Sequence, residues 1–173
     1  MSTKFKVELS NVDVEVTKES INVKGKEGQV SLPLVHPFLK IERKDNTLFI
    51  EADKDNKFQK AIAGTLAAQI KNTIKGVNDL YTAELELVYM HFPASLKLTG
   101  NKIIIENFVG ERKPREISIL EGVKAEIKGN KIFLSGVDKY KVGQLAGTIE
   151  SKIQVKNKDR RVFKDGVFIT KKP

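Results

Sequence analysis

Apolar and polar side chains alternate along most of this chain, and at two places the period lengthens to that of a helix. Phe5, Val7 and Leu9 face one way, and Val12, Val14 and Val16 repeat the pattern. Period two with β-branched residues predicts half-buried strands. Ile21 and Val23 continue it until Gly25-Lys26-Glu27-Gly28, which reads as a hairpin tip. Leu39-Lys40-Ile41 and Leu48-Phe49-Ile50 predict two more strands, joined through the polar turn Lys44-Asp45-Asn46. Then Phe58, Ile62, Leu66, Ile70 and Ile74 recur at i+4 steps, the apolar stripe of one helix. Asp53 or Asp55 is available as its cap and Gly76 as its end.

The second half replays the first. A long alternating strand, Tyr81 to Val88, leads into Tyr89-Met90-His91-Phe92-Pro93, where the pattern predicts a domain boundary. Leu96 and Leu98, the turn Gly100-Asn101, and Ile103-Ile104-Ile105 form one expected hairpin. Val123, Ala125 and Ile127, the turn Gly129-Asn130, and Ile132-Phe133-Leu134 form another. Asp138 can cap a second helix with Val142, Leu145, Ile149 and Ile153 inward. Ala146-Gly147-Thr148 follows Ala63-Gly64-Thr65 at an offset of 83, and Leu145, Ile149 and Ile153 echo Ile62, Leu66 and Ile70 at the same offset. Gly110 stands 82 residues after Gly28. The expected architecture is therefore α+β: two tandem, internally duplicated domains, residues 1–88 and 89–173, each an antiparallel β-sheet with one helix packed on a face. Neither core can be large. Gly64 and Gly147 fall mid-helix, where glycine costs about 1 kcal/mol against alanine. Close packing of helix on sheet is the expected reason.

Composition narrows the function classes. The 173 residues are 40% hydrophobic, enough for packed cores. Cysteine is absent, so disulfides and thiolate metal sites are excluded. No apolar run approaches the ~20 residues of a membrane span, and the N-terminus has no apolar stretch of a secretory signal. The net charge of +9 is unevenly placed. Residues 1–88 hold 13 basic and 13 acidic side chains, whereas residues 89–173 hold 18 and 9. Residues 152–172 alone hold eight and two, a net of +6. That concentration points to a polyanionic partner: RNA, DNA or an acidic membrane surface.

Catalysis finds little support. His36 and His91 are isolated in loop-like sequence near prolines, and neither a phosphate-binding loop nor a nucleophile elbow occurs. No catalytic residue, metal or cofactor is expected. Asn107-Phe108-Val109-Gly110-Glu111-Arg112-Lys113-Pro114-Arg115 is either a hairpin loop with a basic tip or a phosphate-contacting loop. In the run from Val155 to Ile169, Lys156, Lys158, Arg160, Arg161 and Lys164 are interleaved with Phe163 and Phe168. These aromatics can anchor the run to a core or stack on unpaired bases. Either way Asp165-Gly166 makes a turn, and the run reads as an anchored basic strand-turn with Arg161 and Phe163 on one strand face.

Four stretches carry a resemblance. They are Ile74-Lys75-Gly76-Val77; Tyr89-Met90-His91-Phe92-Pro93; Glu106-Asn107-Phe108-Val109-Gly110-Glu111; and Val155-Lys156-Asn157-Lys158-Asp159 with Arg161-x-Phe163-x-Asp165-Gly166. With the duplication, they make the chain similar to the large-subunit ribosomal protein six family in its archaeal and eukaryotic form. Ser151 stands where that pattern has Gln, and Phe168 where it has Tyr. The resemblance implies a structural, non-enzymatic ribosome constituent in the cytoplasm. It implies binding to large-subunit ribosomal RNA, mainly through the C-terminal domain, near the sarcin–ricin loop and the base of the factor-binding stalk. Neighbouring ribosomal proteins there would be its protein partners, with no membrane and no homo-oligomer. The expected RNA-binding residues are Lys156, Asn157, Lys158, Arg160, Arg161, Lys164, Lys171 and Lys172, with Arg112, Lys113 and Arg115. Two rival readings are a protein-interaction adaptor whose basic run docks an acidic partner, and an enzyme acting on a polyanion.

Overall fold

The computed structural model describes residues 4–9, 12–17, 20–34, 36, 38–44, 47–53, 56–159 and 161–173. The chain forms two compact units, residues 1–80 and 81–173. In the first, alternation becomes β1 (Lys4–Glu8), β2 (Asp13–Val16), β3 (Ser20–Lys24), β4 (Gln29–Pro33), β5 (Leu39–Lys44) and β6 (Thr47–Ala52), followed by α1 (Lys57–Asn78). All pairings are antiparallel, in two sheets of order β2-β3-β4 and β1-β6-β5. Val7 opposite Leu48, with Ile50 two residues on, buries one face of the second sheet. Helix α1 covers it with Ala63, Leu66, Ala67, Ile70, Ile74 and Val77.

The second unit runs β7 (Tyr81–Val88), β8 (Ser95–Thr99), β9 (Lys102–Glu106), a single turn at Phe108–Gly110, β10 (Arg115–Ser118), β11 (Val123–Lys128), β12 (Lys131–Gly136), α2 (Lys139–Lys152) and β13 (Gly166–Lys171). Its sheets have the orders β8-β9-β10 and β11-β12-β7-β13, again antiparallel throughout. The six strands and helix of the first unit thus recur in the same order and pairing, and β13 is an addition. Leu85 opposite Ile132 repeats Val7 opposite Leu48. Tyr81, Ala83, Leu85 and Leu87 line one buried face of β7, packed with Ile103, Ile105 and Phe108 and with Leu145, Ala146, Ile149 and Ile153 of α2. The α+β class and the duplication stand, but each unit holds two sheets, where one was expected.

The boundary also differs. Strand β7 pairs with β12 on one side and β13 on the other, so it belongs to the second unit, and the units divide after Leu80, not after Val88. Glu84 and Glu86 move with it. The charge division becomes 13 basic against 11 acidic in residues 1–80, a net of +2, and 18 against 11 in residues 81–173, a net of +7.

Helix details follow from local geometry. Asp138 caps α2 by accepting the Tyr140 N–H at 2.8 Å, as expected. Asn56 caps α1, accepting from the Phe58 N–H at 3.3 Å; Asp53 does not, and Asp55, like the turn residues Asp45 and Asn46, lies outside the described residues. Phe58, at the first turn, is 65% exposed and is not part of the buried stripe. Gly76 does not end α1. The helix continues through Val77, whose carbonyl accepts the Glu27 N–H at 2.9 Å, and stops where Asp79 turns extended. A Cβ on Gly64 would only touch the Phe5 ring at 3.4 Å, and one on Gly147 would meet nothing within 4 Å. Close packing therefore requires glycine at neither position. No helix among the described residues is long and apolar enough to cross a membrane.

Candidate nucleic-acid interface

The basic run is a closed loop. Gln154 bridges to Gly166, and the Val167 N–H donates to the Ile153 carbonyl at 3.2 Å. Gly166 thus lies beside Gln154, just past the end of α2, and β13 then joins the sheet along β7. Compact loops with adjacent ends keep their shape through their own side chains. Gly166 suits this closure, since a Cβ there would lie 3.1 Å from the Ile153 carbonyl oxygen.

Asp165 fastens the loop to residues 89–93. Its side chain is 1% exposed. Oδ1 accepts the Met90 and His91 N–H groups at 2.8 and 3.2 Å, and Oδ2 lies 2.7 Å from His91 Nδ1. Burial alone pushes this carboxyl up. The Met90 N–H, the His91 ring and the His91 N–H outweigh that and hold it below its ordinary value. The His91 ring stacks on Phe163 with centroids 4.5 Å apart. The pair supports two loops, and among the described residues no group of three or more acidic or histidine side chains could hold a metal ion.

Residues 107–115 join the same construction. The Asn107 amide donates to the Pro93 carbonyl at 2.9 Å, and Gly110 packs under Phe92. Asn107 and Val109 have left-handed φ values of 57° and 52°. For a β-branched residue that costs about 1–2 kcal/mol. Burying the Phe108 side chain, 1% exposed, contributes about 1.5–3 kcal/mol in return. Arg115 lies over the Phe108 ring, 4.6 Å from its centroid. Its Nε and Nη2 hold the Glu111 carboxylate, and Nη1 donates to the Lys152 and Gln154 carbonyls at 2.7 and 3.2 Å. Cations at a helix C-terminus satisfy carbonyls that have no partner within the helix.

The family model for ribosomal protein L6 matches twice, over residues 10–80 and 92–166. The chain belongs to the ribosomal protein L6 family. Among its relatives is the large ribosomal subunit protein uL6 of Methanosarcina mazei, 38% identical over 161 residues, covering 93% of this chain and 92% of the relative. That of Methanothrix thermoacetophila is 39% identical over the same shares, and that of Methanocella arvoryzae is 38% identical over 162 residues, covering 93% and 92%. Three of the four stretches that carry the L6 resemblance are those joined by Asp165, Asn107 and Gly110.

The expected contact residues separate into kinds within this L6 fold. Lys156, Asn157, Lys158 and Lys164 are exposed on the closed loop, with Asn157 at φ 59°. Among the described residues, no carboxylate lies within salt-bridge distance of Lys156, Lys164, Arg112 or Lys113, all exposed. Lys158 sits over the Phe163 ring at 5.5 Å. Arg161 is 90% exposed but holds Asp159, with Nη2 to Oδ2 at 2.9 Å, which raises the guanidinium and lowers the carboxyl. It lies on a turn, where the Phe163 N–H donates to the Asp159 carbonyl at 2.8 Å, so the expected strand-face relation between Arg161 and Phe163 does not exist. Arg115 spends its donors inside the protein. Arg160 lies outside the described residues. Lys171 sits opposite Glu84 while Gly166 sits opposite Val88. At about 3.3 Å per residue, Lys171 and Lys172 are therefore about 16 Å or more from the closed loop. The end of the chain is packed, with Pro173 Cγ 3.7 Å from a Cβ position on Gly143. Sequence reasoning missed Asp165 and His91; the signal available was that Asp165 is one of only two acids in a basic run.

Proposed function

We propose that this chain is a structural, RNA-binding constituent of the large ribosomal subunit, working in the cytoplasm as part of the ribosome and not as an enzyme. The second unit carries the main contact with large-subunit ribosomal RNA, near the sarcin–ricin loop and the base of the factor-binding stalk, where neighbouring ribosomal proteins are its protein partners. The observation that carries this reading is the closed basic loop. Lys156, Lys158 and Lys164 project from a backbone held at both ends and by Asp165. Cations on a preorganised loop lose less entropy on meeting phosphates than cations on a free tail. Arg112 and Lys113 extend the cationic set from residues 107–115. Recognition is of folded RNA shape and phosphates, because A-form helices hide their major-groove edges.

Titration of the full chain against a large-subunit ribosomal RNA transcript at several salt concentrations tests the reading. Affinity should fall steeply with salt, and alanine at Lys156, Lys158 and Lys164 together should flatten that slope by about two to three phosphates. A flat salt dependence would instead support docking to a protein.

A further inference from the structure

We propose that a groove at the root of the closed loop takes up one unpaired nucleobase of the RNA partner. This rests on the RNA-binding reading above and deepens it. The groove encloses about 330 Å³ and is lined by the apolar side chains of Val88, Val155, Phe163 and Phe168, with Gln154 and Lys164 as its polar members. That volume is at the lower end for small-molecule sites. Asp165 also lines it, but its carboxylate is committed to Met90 and His91.

Three observations select a nucleobase. First, the four apolar liners are only partly buried, so apolar surface stays accessible amid a cationic loop. Second, Lys156, Lys158 and Lys164 are exposed on that loop. A nucleotide that places its base in the groove leaves its flanking phosphates near these lysines, whereas an apolar peptide would leave the charges unmatched. Third, the groove is preformed, since the Gln154–Gly166 bridge and the Val167 N–H hold its floor. Phe163 is already stacked on His91 and neighboured by Lys158. Phe168 is therefore the stacking platform. Every base has a π-face, so such a site accepts an unpaired base without reading its edge.

The test uses the full chain and the large-subunit ribosomal RNA transcript. Phe168→Leu keeps apolar bulk and removes the ring, and Phe168→Tyr keeps the ring. Phe168→Leu should weaken binding by roughly 5- to 150-fold at every salt concentration, with the salt slope unchanged. Phe168→Tyr should bind as the parent does. A Leu variant that binds like the parent, or a Tyr variant that loses as much as Leu, overturns the proposal. Because Leu could loosen β13, zero-length ultraviolet cross-linking of the unaltered complex provides a second measurement. Mass spectrometry should find a nucleotide on the peptide holding Phe163 or Phe168; cross-links confined to residues 156–161 overturn the groove. If the unaltered chain shows no salt-dependent RNA affinity, the RNA-binding reading itself fails. If it binds with a full slope while Phe168→Leu has no effect, only the groove fails.

Discussion

Replacing Asp165 by alanine sets two physical effects against each other. The substitution removes the one charged side chain that is buried among the described residues. It frees the Met90 N–H, the His91 N–H and the His91 ring from their acceptor. A hydrogen bond to a charged group is worth about 1.5–3 kcal/mol net. Met90 and His91 are exposed and can regain water, and alanine escapes the desolvation that burial imposes on the carboxylate. The three contacts together should therefore be worth about 3 kcal/mol, below their sum. Urea unfolding of the full chain at neutral pH measures this, and amide exchange at Met90 and His91 locates it. A loss under about 0.5 kcal/mol, typical of surface changes, would refute the reasoning.

The pH dependence has a definite sign. The folded protein holds the Asp165 carboxyl below its ordinary value of 3.8. The contribution is complete above that value and is lost as pH falls through the lower, folded one. The gap between parent and Asp165→Ala should therefore close only below pH 3.8. RNA affinity sharpens the contrast. Removing a negative charge beside the cationic loop would strengthen binding if charge alone mattered. If the carboxylate instead organises the loop, binding weakens, and weakening is the expected result.

Three further outcomes are expected. Arg115→Ala should destabilise the protein by about 2 kcal/mol in urea unfolding while leaving the RNA salt slope unchanged, whereas Arg112→Ala should lower the slope by about one phosphate at constant stability. Gly147→Ala should raise stability by about 0.5–1 kcal/mol, because the space above the α2 backbone is open and glycine is the poorer helix former; a loss in the same urea assay would show a packing reason for the glycine. A fragment of residues 81–173 should fold, by circular dichroism and heat melting, and bind RNA, whereas one beginning at 89 should not fold, because it lacks the strand between β12 and β13.

Much of the fold was legible because one face of each sheet is buried and the other is not. That asymmetry writes alternation into β3, β6, β9 and β12, and the AGT echo marks the helices. The assignment of β7 was not legible. Its partners lie at Lys131–Gly136 and Gly166–Lys171, and pairing across such separations leaves no local mark. Strand β13 was hidden for another reason: Gly166 and Val167 are both buried, so its alternation is broken at the start. Asp165 beside Gly166 has the composition of a turn. Its partners are N–H groups 74 and 75 positions away, and no spacing rule points to them. Arg115 sat among other cations, and only the position of two carbonyls, one on the last residue of α2 and one just beyond it, separates a clasp from a contact.

Counting cations along the sequence therefore overstates the charge that can meet RNA. The run from Lys156 to Lys164 holds five basic side chains. Arg161 already forks onto Asp159, so a phosphate must displace that carboxylate before it gains the guanidinium. The exchange swaps one anion for another and gives little net neutralisation. The lysines carry no such debt, since Lys156 and Lys164 have no carboxylate within salt-bridge distance among the described residues and Lys158 rests on a ring. Each lysine should then contribute about 0.7–0.9 to the salt slope, and Arg161 clearly less. Alanine substitutions at Lys156, Lys164 and Arg161, titrated against the same transcript at several salt concentrations, measure the difference. If Arg161→Ala flattens the slope as much as Lys156→Ala does, Asp159 must release the arginine on binding, and the resting ion pair holds the fork in reserve for the phosphate.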